Sequence, residues 1–126
     1  TEGLFQATKP TIEMLDDHLF KYHVDFEHMA ITEHCGALCV SRPTNPTGNV
    51  LSDDEMDHLD HIAKAKGVPL IIDGAYGLPF PNILFTEVTP LWNDNCIVVL
   101  SLSKLGLHAR VNCYESCVEY DRAFNG

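Results

Sequence analysis

Three short runs, Ala37-Leu38-Cys39-Val40, Val68-Pro69-Leu70-Ile71-Ile72 and Cys96-Ile97-Val98-Val99-Leu100, constrain the chain most, because none alternates with polar residues. A strand with one wet face alternates, whereas an unbroken run rich in branched residues suits a strand buried on both faces of a parallel sheet. Parallel neighbours need a crossover, and one is written between the first two runs. Ser52 followed by Glu55 is a capping-box pair: the serine oxygen takes an orphan backbone N–H while the glutamate reaches back. Asp53 and Asp54 add negative charge where the helix dipole favours it. Met56, Leu59, Ile62 and Ala63 then recur at helical spacing, and Gly67 supplies a stop. Strand, helix and strand in this order predict an α/β layered fold with a right-handed connection.

The 126 residues are enough for one compact domain with a core. Residues 78–93 are interrupted by Pro79, Pro81 and Pro90, which predicts irregular chain with at most a short helix. Earlier, Phe20, Tyr22, Val24 and Phe26 alternate with Lys21, His23 and Asp25, the pattern of a strand or extended arm. No apolar run approaches the ~20 residues of a membrane span. With 45% hydrophobic and 21% charged residues the composition is that of a soluble globular protein, and membrane insertion is not expected. A net charge of −10 would repel nucleic-acid phosphates, so nucleic acid is excluded as a partner.

The five cysteines, Cys35, Cys39, Cys96, Cys113 and Cys117, are odd in number and scattered, which fits free thiols in a reducing, cytoplasmic setting. Cys35/Cys39 and Cys113/Cys117 with His34 lack the tight, repeated spacing of a structural zinc site, so no metal is expected. The chain opens at Thr1 with neither an initiator Met nor a secretory signal, as an internal excerpt or processed product would.

Chemistry enters where the three runs end. They are followed by Arg42-Pro43-Thr44-Asn45-Pro46-Thr47-Gly48, by Asp73-Gly74-Ala75-Tyr76-Gly77 and by Ser101-Leu102-Ser103-Lys104. If the strands are parallel, all three polar clusters share the carboxyl edge, where open α/β sheets bind ligands. Lys104, flanked by Leu102 and Leu105, can lose its charge when desolvated and attack a carbonyl as a neutral amine. Asp73 emerges from a buried strand and needs a cationic partner. A lysine that forms a Schiff base and a carboxylate that keeps a pyridine nitrogen protonated are the two requirements of pyridoxal 5'-phosphate. Tyr76 and Asn45 can hydrogen-bond the ring oxygen, and Ser101 can donate to the phosphate. Each residue has an ordinary alternative: a solvated lysine, an aspartate capping the next helix, an Asn-Pro-Thr-Gly turn, a serine bonded to its own backbone. Their occurrence together at three successive strand ends is what favours the site.

In that order and context, Asn45-Pro46-Thr47-Gly48, Asp73-x-x-Tyr76 and Ser101-x-Ser103-Lys104 resemble the class I/II aminotransferases of PLP fold type I. The resemblance extends through Phe20-Lys21-Tyr22-His23-Val24-Asp25-Phe26-Glu27 and Ala75-Tyr76-Gly77-Leu78-Pro79-Phe80-Pro81 to Leu107. It implies a three-layer α/β fold with a mainly parallel sheet, residues 1–107 being the central part of the large, cofactor-binding domain and 108–126 a divergent tail. It further implies that Lys104 forms the Schiff base and moves the Cα proton, Asp73 pairs with the ring nitrogen, Tyr76 and Asn45 bind the ring oxygen, and Ser101 contacts the phosphate. The implied reaction exchanges an amino group between an amino acid and a 2-oxo acid, with valine and pyruvate as the pair, in an enzyme that is a homodimer at full length.

The same residues would serve another PLP fold type I enzyme such as an amino-acid lyase. A truncated, inactive fragment is a third reading. After Leu107 the family continues with Pro-Gly and a phosphate-binding Arg, whereas this chain has His108-Ala109-Arg110-Val111-Asn112, with Arg110 one position too early. The family's Gly-rich phosphate loop with its ring-stacking aromatic residue, and its late carboxylate-gripping Arg, have no counterpart in these residues.

Overall fold

Ser52 starts the helix as its sequence predicts. In the computed structural model, which describes residues 3–76 and 88–101, helix α1 spans Asp53–Lys66. The Ser52 hydroxyl accepts the Glu55 N–H at 3.2 Å, and Glu55 Oε2 accepts the Ser52 N–H at 2.8 Å. At the other end Gly67 adopts φ 67°, ψ 31°, a left-handed conformation that costs glycine little, and its N–H caps the carbonyls of Ala63 and Lys64. Met56, Leu59 and Ala63 line the buried face, while Ile62 is half-buried at its margin.

That face lies on a three-stranded sheet of β3 (Leu38–Ser41), β4 (Leu70–Asp73) and β5 (Cys96–Val99), in the order β3-β4-β5 and parallel throughout. In register, Leu38 faces Leu70 and Leu70 faces Cys96, while Ser41 faces Asp73 and Asp73 faces Val99. The strand limits fall within two residues of the apolar runs. Leu70 and Ile72 are buried, whereas Ile71 is half-buried and Asp73 exposed, as a period of two requires. The sheet and α1 thus supply two layers of an α/β architecture.

Burial on both faces is met on one face only among the described residues. Cys39, Asp73 and Val99 stand exposed on the side away from α1, because no described element lies over them. On the covered side, burial of Met56 and Leu70 contributes about 1.5–3 kcal/mol each.

Polar bonds fix where β5 begins. Asp60, buried on α1, accepts Lys64 Nζ at 2.6 Å and Asn93 Nδ2 at 3.0 Å. Burial pushes its carboxyl pKa up, but the bonds from Lys64 and Asn93 outweigh this and leave it below the ordinary value. The Asn95 amide donates to the Val68 carbonyl at 3.0 Å, and the Leu70 N–H to the Asn95 carbonyl at 2.9 Å. The described part of 78–93 carries no helix or strand, in keeping with its prolines.

Thr1–Cys35 forms a separate compact unit from Gly36–Gly126. In it β1 (Thr11–Asp16) pairs antiparallel with β2 (Leu19–His23), so the arm expected from Phe20 onward is the second strand of a hairpin and stops before Val24. Alternation places Ile12, Met14, Phe20 and Tyr22 on one face, with Phe20 and Tyr22 edge to face at 5.2 Å, and Glu13, Lys21 and His23 on the other. No helix among the described residues is long and apolar enough to cross a membrane.

Candidate functional site

The carboxyl ends of β3, β4 and β5 lie side by side, so the parallel sheet brings together what the sequence separates. Asp73 closes β4 opposite Ser41 and Val99. Its Oδ1 accepts the Ala75 N–H at 3.0 Å, and Ser41 Oγ donates to its Oδ2 over a long 3.5 Å. A cleft of about 210 Å³ beside it is lined by Cys39, Val40, Ser41, Ile71 and Asp73. The carboxylate therefore faces open space on the side of the sheet away from α1.

Gly74 continues the ladder by donating its N–H to the Val99 carbonyl at 2.8 Å. A Cβ there would stand 3.3 Å from Leu100 Cδ2 and 3.4 Å from the Val99 carbonyl, so a side chain would press the end of β4 away from β5. Tyr76 follows in the turn. Its phenol oxygen accepts from Asn45 Nδ2 at 3.3 Å, joining the second strand end to the first. Asn45 sits in a loop tightened by Thr44 N–H to Asn49 carbonyl at 2.9 Å and Gly48 N–H to Thr44 carbonyl at 2.7 Å. Gly48 takes φ 69° there. Ser101, half-buried, comes two positions after the end of β5.

Of the residues expected from sequence, Asn45 and Tyr76 are in contact, Asp73 shares their edge of the sheet, and Ser101 follows the neighbouring strand. Lys104, Arg110 and the tail 108–126 lie outside the described residues. The donor set fits pyridoxal 5'-phosphate. An exposed carboxylate suits a protonated ring nitrogen, and an amide and a phenol already converging at 3.3 Å suit a ring oxygen that both can reach.

Sequence reasoning missed Arg42. This residue is 8% exposed, and its guanidinium donates through Nε to the Leu51 carbonyl at 2.8 Å, through Nη1 to the Thr89 carbonyl at 2.9 Å and through Nη2 to Asp53 at 2.5 Å. Asp53 also accepts the Thr89 N–H at 3.0 Å. Hydrogen bonds from Thr89, and then the Arg42 guanidinium, pull the Asp53 carboxyl down to about 2. A signal was available: like Asp73, Arg42 is a charge directly after an apolar strand, and such a charge demands partners.

The family described as aminotransferase class I and II matches residues 11–111. The valine–pyruvate aminotransferase of Escherichia coli K12 is 58% identical over 106 residues, covering 84% of this chain and 25% of that protein. The crystal structure of valine–pyruvate aminotransferase from Salmonella typhimurium LT2 superposes with a TM-score of 0.73 at 60% identity, over 78% of this chain and 25% of that one. A putative amino-acid aminotransferase from Psychrobacter arcticum 273-4 follows at TM-score 0.71 and 50% identity, over 78% of this chain and 24% of that one. The chain thus spans about a quarter of the length of the relatives it matches.

Proposed function

The chain belongs to the class I and II aminotransferases, and from that premise we propose that it is the cofactor-binding middle of an enzyme that exchanges an amino group between valine and pyruvate. Its fold is the α/β, parallel-sheet fold of PLP fold type I. The observation that carries the proposal is the contact of Asn45 with Tyr76 at 3.3 Å, on the sheet edge where Asp73 stands exposed. The substrate pair is argued from the 58% identity to a valine–pyruvate aminotransferase.

Pyridoxal 5'-phosphate, when bound, supplies the electron-accepting ring that lets a substrate Cα lose its proton. Asp73 holds the proton on the ring nitrogen, since a carboxylate beside that nitrogen favours its charged form. Asn45 and Tyr76 orient the ring through its oxygen, and Ser101 donates to the phosphate. Lys104 would anchor the cofactor and move the proton at substrate Cα, its place in the sequence between Leu102 and Leu105 suiting a lysine that loses its charge when desolvated. Residues 1–107 contribute to the large domain and 108–126 form a divergent tail. The full-length protein works as a cytoplasmic homodimer on small amino and 2-oxo acids.

The test is borohydride reduction of the chain restored to the length of its relatives, with cofactor bound, followed by peptide mapping. The adduct is expected on Lys104, with alanine formed from valine and pyruvate in the unreduced protein. An adduct on Lys21, Lys64 or Lys66 would overturn the site, and turnover with other amino donors alone would overturn the substrate pair.

A further inference from the structure

Arg42 ties together two strand ends that carry the site. Its backbone N–H donates to the Asp73 carbonyl at 2.9 Å, so its main chain is fixed to the end of β4. Its guanidinium reaches the other way, to the Leu51 carbonyl at 2.8 Å. The chain between them, residues 43–50, is the loop that bears Asn45, and the bond from Arg42 to Leu51 closes that loop at its base. Thr89 and Asp53 hold the guanidinium in turn, at 2.9 and 2.5 Å. Asn45 itself is exposed, so its side chain is held beside Tyr76 by their hydrogen bond and by the path of a loop that is braced within itself and closed at its base.

Resting on the reading of the site given above, we propose that Arg42 is a positioning residue for the cofactor. By clamping the base of loop 43–50 it sets Asn45 against Tyr76, and so governs how strongly this pair donates to the ring oxygen of pyridoxal 5'-phosphate. The planar guanidinium reaches three acceptors in different directions. A lysine ammonium at the end of a flexible stem does not reproduce this fork, so Arg42→Lys is not conservative here.

Ring-oxygen donors stabilise the anionic form of that oxygen, which gains most when the Schiff-base nitrogen beside it is unprotonated. Weakening them therefore raises the pH midpoint of the bound cofactor's absorbance change. The experiment is that titration in the chain restored to the length of its relatives, with folding monitored by circular dichroism. Asn45→Ala is expected to raise the midpoint by about one pH unit, the scale of one hydrogen bond to a charged group. Arg42→Lys and Arg42→Met should move it in the same direction by about half a unit or more. Neither should add a further shift in the Asn45→Ala background, because a residue acting through Asn45 has nothing left to position.

Asp53→Asn removes the charge that holds the same guanidinium and decides the matter if the Arg42 variants do not fold; a small upward shift is expected. An unmoved midpoint in folded Arg42→Lys, or in Asp53→Asn where the Arg42 variants fail to fold, overturns the inference. So does a shift that adds in full to that of Asn45→Ala. A wild-type protein with no cofactor band, or an Asn45→Ala variant whose midpoint stays put, instead overturns the reading of the site, and this inference falls with it.

Discussion

Two aspartates mark the contrast between the start of α1 and the end of β4. Asp53 accepts from the Arg42 guanidinium and from the Thr89 amide, and its carboxyl is drawn down to about 2. Asp73 accepts one backbone amide at 3.0 Å and a hydroxyl at the 3.5 Å limit of a hydrogen bond, with open space before it. The protein spends its strong donors on the first carboxylate, which secures a joint between a helix start, a strand end and the segment at Thr89. The second keeps acceptor capacity that no described residue takes up, and under the proposed function this is what the cofactor's ring nitrogen would use. Among the described residues, the first carboxylate has a cationic partner and the second has none.

The sharpest way to break this comparison is Asp73→Asn in the chain restored to its relatives' length. Transamination, followed as alanine formed from valine and pyruvate, should fall about 100- to 1,000-fold. The melting temperature should barely move, because an exposed substitution of like shape changes stability by no more than about 0.5 kcal/mol. An unchanged rate would end the electrostatic role of Asp73.

Next in size is Ser52→Ala, which removes the side-chain half of the capping box at the same helix start that Asp53 secures. A loss of about 1 kcal/mol is expected in urea unfolding. No loss would mean that the bonds around Arg42 alone hold this end.

Asp53→Asn tests the pH side of the contrast. The folded-state pKa of Asp53 is depressed from 3.8 to about 2, so its ionisation favours the folded state above about pH 4 and ceases to do so as pH falls through about 2. The melting temperature of Asp53→Asn should lie below that of the wild type at neutral pH, with the gap closing between pH 4 and 2. High salt should narrow the gap, since this side chain is half exposed. A gap independent of pH would show that charge is not what Asp53 contributes. Smallest of all, Ser41→Ala should change the rate by less than about threefold, a 3.5 Å contact being worth little.

Features with local causes were legible before the structure. Ser52, Glu55 and Gly67 announced both ends of α1, since caps act within three residues and leave a fixed pattern. The parallel strands were legible because apolar runs joined by one crossover leave few topologies. From these it followed that the clusters bearing Asn45 and Tyr76 would share one edge; the contact between the two residues, 31 positions apart, is what the structure adds. That Arg42 needs partners was legible, but which groups supply them was not. Two of its acceptors are the carbonyls of Leu51 and Thr89, which no residue type advertises, and the Thr89 acceptor is 47 positions away. Strand β1 was missed although Ile12 and Met14 alternate with Glu13; both are exposed in the unit that holds them, and alternation without burial is a weak signal.

The alternation along β4 has a consequence for how such a chain can change over time. Leu70 and Ile72 turn under the helix while Asp73 turns to the open side, so which side that carboxylate faces is a matter of parity. Insertions of any length in the surface loops leave this unaltered. Deleting one residue from within β4 while its end stays anchored through the Gly74 to Val99 bond would reverse the facing of the residues before the gap and expose leucine or isoleucine. If the front of the strand were anchored instead, the same deletion would swing Asp73 beneath Met56 and Leu59, where a lone negative charge is strongly disfavoured. Changes by two residues would keep the sense. A four-residue strand with one side under the buried face of a helix and the other side open therefore behaves as a parity check, tolerant of substitution but not of an odd change in length.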